Sequence, residues 1–180
     1  KHAIGPRKEL KVRTVFNLLG PLTNPASAPN MLLGVFAKQW VRPFAEVLSK
    51  LGANHVLVVH SAEGLDEISL AGDTYVAELK DGEIREYVLK PEDVGVDRAA
   101  LDSLVVDSPA ASLALIKDAF AGDAPLAADM IALNAGAALY AAGVASSHKD
   151  GVALAYDVMS VGQAKEKLKE WADFSQACVL

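Results

Sequence analysis

The stretch from residue 31 to residue 60 constrains the fold most, because it joins two short apolar runs through an amphipathic segment. Met31–Phe36 and His55–His60 are short and apolar, as buried strands are. Between them lie a proline suited to a first helical turn, Pro43, and a glycine suited to a helix end, Gly52. Apolar residues recur there at steps of three and four, namely Val41, Phe44, Ala45, Leu48 and Leu51. The pattern predicts a strand, a helix and a second strand joined by a parallel, right-handed crossover.

Two further runs, Thr74–Lys80 and Glu83–Leu89, are joined by the dipeptide Asp81-Gly82. An Asp-Gly pair between two such runs is typical of a β-hairpin with a type I′ turn. The sheet is therefore predicted to be mixed and mostly parallel, with one antiparallel pair at or near its edge.

The second part of the chain is rich in Ala and Leu with helical spacing. Asp107 or Ser108 can cap one helix, and Pro125 starts an Ala-rich helix that runs to about Gly143. That helix is broken by polar residues and does not reach the roughly 20 apolar residues of a membrane span. Gln163–Phe174 is predicted to be an amphipathic surface helix. The expected fold class is α/β, with a mixed sheet flanked by helices.

Charge and cysteine content limit the classes of function. The net charge of −6 disfavours the broad basic face that nucleic-acid binding needs. Cys178 is the single cysteine, so neither a disulfide within the chain nor a Cys-based zinc cluster is expected. We expect a cytoplasmic protein with no nucleic-acid or membrane partner. The chain opens with Lys1 rather than Met, which indicates a piece of something longer.

An acidic pair, Asp66 and Glu67, follows the second predicted strand of the α/β unit. Ligands gather at the carboxyl ends of such strands. Two carboxylates there suit Mg²⁺, which is usually held by one or two acidic groups together with substrate phosphates. From the pair alone, a solvated acidic turn is the more frequent explanation.

The stretch before residue 26 is basic in an otherwise acidic chain. Arg7 and its basic neighbours could bind an anion, although exposed positive charge on a helix is commoner. Gly20-Pro21 and Asn24-Pro25 both predict a rigid turn. The four histidines show no metal spacing, so a structural role is expected for each.

Three segments carry a resemblance to a known family. The first is RKEL at residues 7–10 followed by RTVFNLLGPLTNP at residues 13–25. The second is VVH at residues 58–60 followed by GLDEIS at residues 64–69, and the third is LNAGAAL at residues 133–139. Together they resemble anthranilate phosphoribosyltransferase, and the first segment is highly specific to that family.

The resemblance implies a nucleoside phosphorylase/phosphoribosyltransferase-like fold and a glycosyl transfer from 5-phosphoribosyl-1-diphosphate to anthranilate in tryptophan biosynthesis. It implies that Asp66 and Glu67 are Mg²⁺ ligands and that Arg7 faces the anthranilate carboxylate. Residues 1–24 would be a remnant of a small helical domain, and residues 25–180 the C-terminal part of the α/β domain. A homodimer of the intact enzyme is also implied.

Members of this family carry a Gly-Thr-Gly-Gly-Asp-type loop around the pyrophosphate, and this sequence contains no such loop. We therefore expect the 180-residue chain alone to have little or no activity. Two alternatives stay open: a non-catalytic nucleic-acid-binding relative of the same fold, which the charge disfavours, and pyrimidine nucleoside phosphorylase. The stretch from residue 17 to residue 25 favours the anthranilate enzyme over the phosphorylase.

Overall fold

The first described element is a short helix that continues through a proline. The computed structural model describes residues 15–178, with side chains from residue 18 onward. Helix α1 spans Val15–Leu22 and contains Pro21. The predicted turn at Pro21 is therefore wrong, because a proline near the end of a short helix removes only one of its hydrogen bonds. The turn predicted at Asn24-Pro25 is confirmed, and the side-chain oxygen of Asn24 accepts the backbone N–H of Ala26 at 2.9 Å.

The strand, helix and strand predicted between residues 31 and 60 are confirmed. Strand β1 (Asn30–Gly34) pairs in parallel with strand β2 (His55–Ser61), and helix α2 (Val41–Lys50) connects them. Gly52 follows that helix with a φ of 86°, a left-handed conformation that favours glycine.

The predicted hairpin is also confirmed, with strands β3 (Thr74–Lys80) and β4 (Glu83–Leu89). Asp81 and Gly82 have φ values of 53° and 79°, the pair of left-handed residues that a type I′ turn requires. The sheet order is β1-β2-β3-β4, so the predicted mixed sheet is confirmed. Within the described residues one strand pairing is parallel and two are antiparallel, so the expectation of a mostly parallel sheet with one antiparallel pair is wrong for this part of the sheet. The loop between β2 and β3 contains no crossover helix, so β3 returns antiparallel beside β2.

Four helices follow the sheet: α3 (Pro109–Ala121), α4 (Pro125–Ala141), α5 (His148–Ser160) and α6 (Gln163–Ala177). Short 3₁₀ helices lie at Lys38–Trp40, Pro91–Val94 and Asp102–Leu104. Ser108 caps α3 as predicted, because its hydroxyl oxygen accepts the N–H of Ala111. The sequence did not predict α5.

β2 is buried along its whole length because helices cover both faces of the sheet. On one face α2 packs on β2 and β3, in a core that includes Val41, Phe44, Ala45, Leu48, Val56, Val58, Ala77 and Leu79. On the other face α4 packs on β1 and β2, and α5 packs on α4, in a core that includes Leu57, Val59, Ile68, Val76, Ala132, Leu133, Ala137, Val152 and Ala155. The result is a three-layer α/β arrangement, and the expected sheet flanked by helices is confirmed.

In the described part of the chain, no single helix has both the length and the apolar character needed to cross a membrane. By length and composition only, the pair formed by α3 and α4, which is bent by 88°, could do so together.

Candidate functional site

The loop that leaves the carboxyl end of β2 is built around Ser61. The backbone N–H of Ser61 donates to the carbonyl oxygen of Leu65 at 2.9 Å. In return, the N–H of Leu65 donates to the Ser61 hydroxyl oxygen at 3.0 Å. Gly64 has a φ of 96°, which lets the chain turn back within four residues. This closed turn delivers the chain directly to Asp66 and Glu67.

Ser69 fixes the other side of the acidic pair. It is fully buried, and its hydroxyl donates to the Glu63 carboxylate at 2.6 Å. Its backbone N–H donates to the hydroxyl oxygen of Thr74, the first residue of β3, at 3.2 Å. The loop from residue 61 to residue 74 is therefore held by its own polar groups at both ends.

Asn134 on α4 binds the centre of the same loop. Its side-chain oxygen accepts the backbone N–H of Ile68 at 2.9 Å, and its side-chain nitrogen donates to the carbonyl oxygen of Ile68, also at 2.9 Å. The same nitrogen donates to the carbonyl oxygen of Met130 at 3.1 Å. One side chain thus ties the residue after Glu67 to the helix layer.

Gly34, at the end of β1, lies against the backbone of Asp66. A Cβ atom at Gly34 would be 1.6 Å from the Asp66 carbonyl oxygen, so no other residue type fits there without movement. The acidic pair is thereby placed where the parallel strands β1 and β2 end. That is the edge at which α/β sheets bind their ligands.

Both acidic residues predicted from the sequence line one open cleft of about 450 Å³. Its other walls come from β1, β2 and α4, and include Leu32, Gly34, Val59, Met130, Ile131, Asn134 and Ala135. The structure therefore brings Asp66 and Glu67 together at a concave surface beside the sheet edge. Both side chains are also accessible to solvent there.

Glu67 has a perturbed carboxyl group. Partial burial raises its pKa above the ordinary value, and the neighbouring Asp66 carboxylate raises it further. Among the residues that the structure describes, neither carboxylate forms an ion pair. A cation between the two carboxylates would relieve this unfavourable charge.

The two carboxylates fit magnesium better than a metal whose ligands all come from protein side chains. Within residues 15–178 no group of three His, Cys, Asp or Glu side chains could hold a metal ion. Two hard carboxylate ligands beside an open cleft leave room for the waters and substrate phosphates that complete the coordination of Mg²⁺. Asp66 and Glu67 would be the residues that hold it.

The remaining predicted site residue, Arg7, lies outside the described residues. Three histidines are described, and each has a structural partner. His55 contacts the Glu78 carboxylate at 2.9 Å, while His60 and His148 contact the carbonyl oxygens of Val35 and Leu133 at 2.8 Å.

The contributions of Gly34 and Asn134 were not predicted from the sequence. Each carried a weak signal. Asn134 is an isolated amide in an Ala-rich helix, and Gly34 interrupts an apolar strand. Neither signal identifies a partner, because the partners are distant along the chain. Asn134 lies 66 residues from Ile68, and Gly34 lies 32 residues from Asp66.

Comparison with known proteins gives three consistent findings. The model of the glycosyl transferase family, a/b domain, matches residues 1–165. The chain is 56% identical over 179 residues to anthranilate phosphoribosyltransferase of Saccharophagus degradans, covering 97% of this chain and 52% of that protein. It is 58% identical over 180 residues to the enzyme of the same name from Marinobacter nauticus, covering 98% and 53%. The chain therefore spans about half the length of the curated relatives it matches.

Solved structures agree with the fold described above. A crystal structure of anthranilate phosphoribosyltransferase from Thermus thermophilus superposes with a TM-score of 0.86 at 46% identity, covering 96% of this chain and 51% of that one. The enzyme from Saccharomyces cerevisiae in complex with PRPP and Mg superposes with a TM-score of 0.81 at 26% identity, covering 93% and 48%. The predicted resemblance is thus confirmed in sequence and in structure.

Proposed function

The chain belongs to the glycosyl transferase family described by the a/b domain model, and from this premise we propose that it is part of an anthranilate phosphoribosyltransferase. In the proposed reaction, the amine nitrogen of anthranilate forms a bond to C1 of the ribose in 5-phosphoribosyl-1-diphosphate. The bond from C1 to the pyrophosphate oxygen breaks, and its electron pair leaves with pyrophosphate. The amine releases one proton, and the product enters tryptophan biosynthesis.

The observation that carries the proposal is the position of Asp66 and Glu67 in a cleft at the carboxyl ends of β1 and β2. A leaving pyrophosphate needs fixed positive charge more than it needs a protein nucleophile. Mg²⁺ held by the two carboxylates supplies that charge when bound. Asn134 and Gly34 hold the loop so that both carboxylates reach the same cleft.

Arg7 is proposed to bind the anthranilate carboxylate. The guanidinium group matches a carboxylate with two parallel hydrogen bonds, which the ammonium group of Lys cannot do. Residues 1–24 are proposed to belong to a small helical domain, and residues 25–180 to the α/β domain. A homodimer and a cytoplasmic location complete the proposal on the basis of the family resemblance.

The residues expected to grip the pyrophosphate are not in this sequence, and the matched relatives are about twice as long as the match. We therefore propose that the 180-residue chain by itself turns over little substrate. Its acidic loop would supply one side of the substrate site, and the family's Gly-Thr-Gly-Gly-Asp-type loop the other.

The native protein tests the proposal when it is incubated with anthranilate, 5-phosphoribosyl-1-diphosphate and Mg²⁺. We expect anthranilate fluorescence to disappear with release of one pyrophosphate for each anthranilate consumed. Phosphorolysis of a pyrimidine nucleoside without anthranilate turnover would instead support the phosphorylase. Salt-dependent oligonucleotide binding without either activity would support the nucleic-acid-binding relative.

A further inference from the structure

We propose that Asn134 is a positioning residue for the metal-binding loop, setting how tightly Asp66 and Glu67 hold Mg²⁺; the inference rests on the proposed function. Asn134 does not itself contact the metal in this proposal. It acts through Ile68, the residue that directly follows the acidic pair. Its hydrogen bonds to both backbone groups of Ile68 are 2.9 Å long.

The three hydrogen bonds of Asn134 fix the plane and the direction of its amide. Its oxygen is used by one backbone N–H, and its nitrogen by two carbonyl oxygens, those of Ile68 and Met130. The contact to Met130 lies within α4, so it anchors the side chain to its own helix. The paired contacts to Ile68 then fix the loop relative to that helix.

Packing alone does not explain an amide at this position. Asn134 is partly buried, and the helix that carries it is rich in alanine. Bringing an amide into such surroundings is unfavourable unless its polar groups are bonded. Two of the three hydrogen bonds go to the loop and the third to the helix itself, so the amide fastens the acidic loop to α4.

Loss of this amide leaves both backbone groups of Ile68 without their partner. Ile68 is 1% exposed, so water does not easily replace the lost contacts. The loop must then shift, and the two carboxylates with it. Since Mg²⁺ demands near-ideal octahedral geometry, a displaced carboxylate weakens metal binding.

The test uses Mn²⁺ as a paramagnetic substitute for Mg²⁺ and measures its binding to the native protein by electron paramagnetic resonance. Replacing Asn134 with Leu (N134L) removes all three side-chain hydrogen bonds, and we expect Mn²⁺ affinity to fall at least tenfold. L133V is the matched control, because it perturbs the adjacent core position of α4 without touching the loop hydrogen bonds. We expect L133V to change Mn²⁺ affinity less than twofold.

A folded N134L protein with the Mn²⁺ affinity of the wild type would overturn the positioning role and leave the proposed function standing. Wild-type protein that binds no Mn²⁺, even with 5-phosphoribosyl-1-diphosphate present, would overturn both the positioning role and the assignment of Asp66 and Glu67 as metal ligands. Should N134L not fold, N134S carries the same test with a smaller change. Hydrogen exchange of the Ile68 amide in wild-type protein needs no variant: it should slow at least threefold with saturating Mg²⁺, and an unchanged rate would overturn the proposal.

Discussion

The backbone of Gly34 lies directly against the backbone of Asp66, so closely that a Cβ atom on Gly34 would be 1.6 Å from the Asp66 carbonyl oxygen. The end of β1 cannot simply move away. The N–H of the next residue, Val35, donates to the carbonyl oxygen of Val59 on β2 at 2.9 Å. Both the pairing of β1 with β2 and the position of the acidic loop require a close approach of the two backbones at Gly34, and only glycine permits it.

Replacing Gly34 with Ala is expected to destabilise the fold by about 1–3 kcal/mol, since the added methyl group overlaps backbone rather than a movable side chain. Urea unfolding measures the loss, and Mg²⁺ activation should weaken in the same variant. Gly20→Ala is the matched control, because a Cβ at Gly20 would contact nothing within 4 Å. Equal stability of the two variants would contradict the close approach.

Removing the charge of either acidic residue is expected to raise the Mg²⁺ concentration needed for half-maximal activity by about tenfold or more. Asp66→Asn and Glu67→Gln keep the shape of each side chain and remove one anionic ligand. Activity of the native protein is measured across a Mg²⁺ titration at saturating substrates. Asp123→Asn, at an exposed acid between α3 and α4, should leave the titration unchanged. An unaltered Mg²⁺ dependence in D66N and E67Q would refute the ligand assignment.

The same titration should depend on pH in a defined direction. The pKa of Glu67 is raised by partial burial and by Asp66. Its carboxyl group therefore takes up a proton at a higher pH than an ordinary Glu does, and the protonated form is a poor ligand. Mg²⁺ activation should weaken as the pH falls, and E67Q should remove the part of this dependence that belongs to Glu67.

Local patterns predicted the elements of this fold because each depends on residues close together in the chain. The Asp81-Gly82 turn and the Ser108 cap are examples, and both are confirmed.

Helix α5 was not predicted because its stability depends on packing against a helix that is distant in sequence. It contains Gly151, a poor helix former, whose Cβ would be 2.2 Å from the carbonyl oxygen of Gly136 on α4. The acidic pair was found from sequence, whereas the residues that hold it were not.

Arg7→Ala is expected to raise the KM for anthranilate by about tenfold to a hundredfold, which is the loss of binding expected when one hydrogen-bonded contact to a charged group is removed. The KM for 5-phosphoribosyl-1-diphosphate should change little. Arg7→Lys should give an intermediate effect, because an ammonium group cannot bind a carboxylate through two parallel bonds. Arg85→Ala, at an exposed arginine paired with Glu83, controls for the loss of one positive charge. Equal effects on both KM values would count against the anthranilate contact.

The stability of the fold is expected to fall as the pH drops below about 6.5, with His148 contributing to the loss. Burial lowers the pKa of His148 below its ordinary value of 6.5, against the opposing effects of its hydrogen bond to the Leu133 carbonyl oxygen and of Glu78. The unfolded chain therefore binds a proton at a pH where the folded chain does not. Each step of acidification in this window favours unfolding.

His148→Gln isolates that contribution, because glutamine does not titrate and can still donate to the Leu133 carbonyl oxygen. Urea unfolding at a series of pH values between about 5 and 7.5 gives the free energy of unfolding for both proteins. All other titrating groups are common to the two chains, so they cancel in the difference. We expect the wild type to lose more stability on acidification than H148Q does. Parallel curves would mean that His148 binds its proton equally well in the folded and unfolded states.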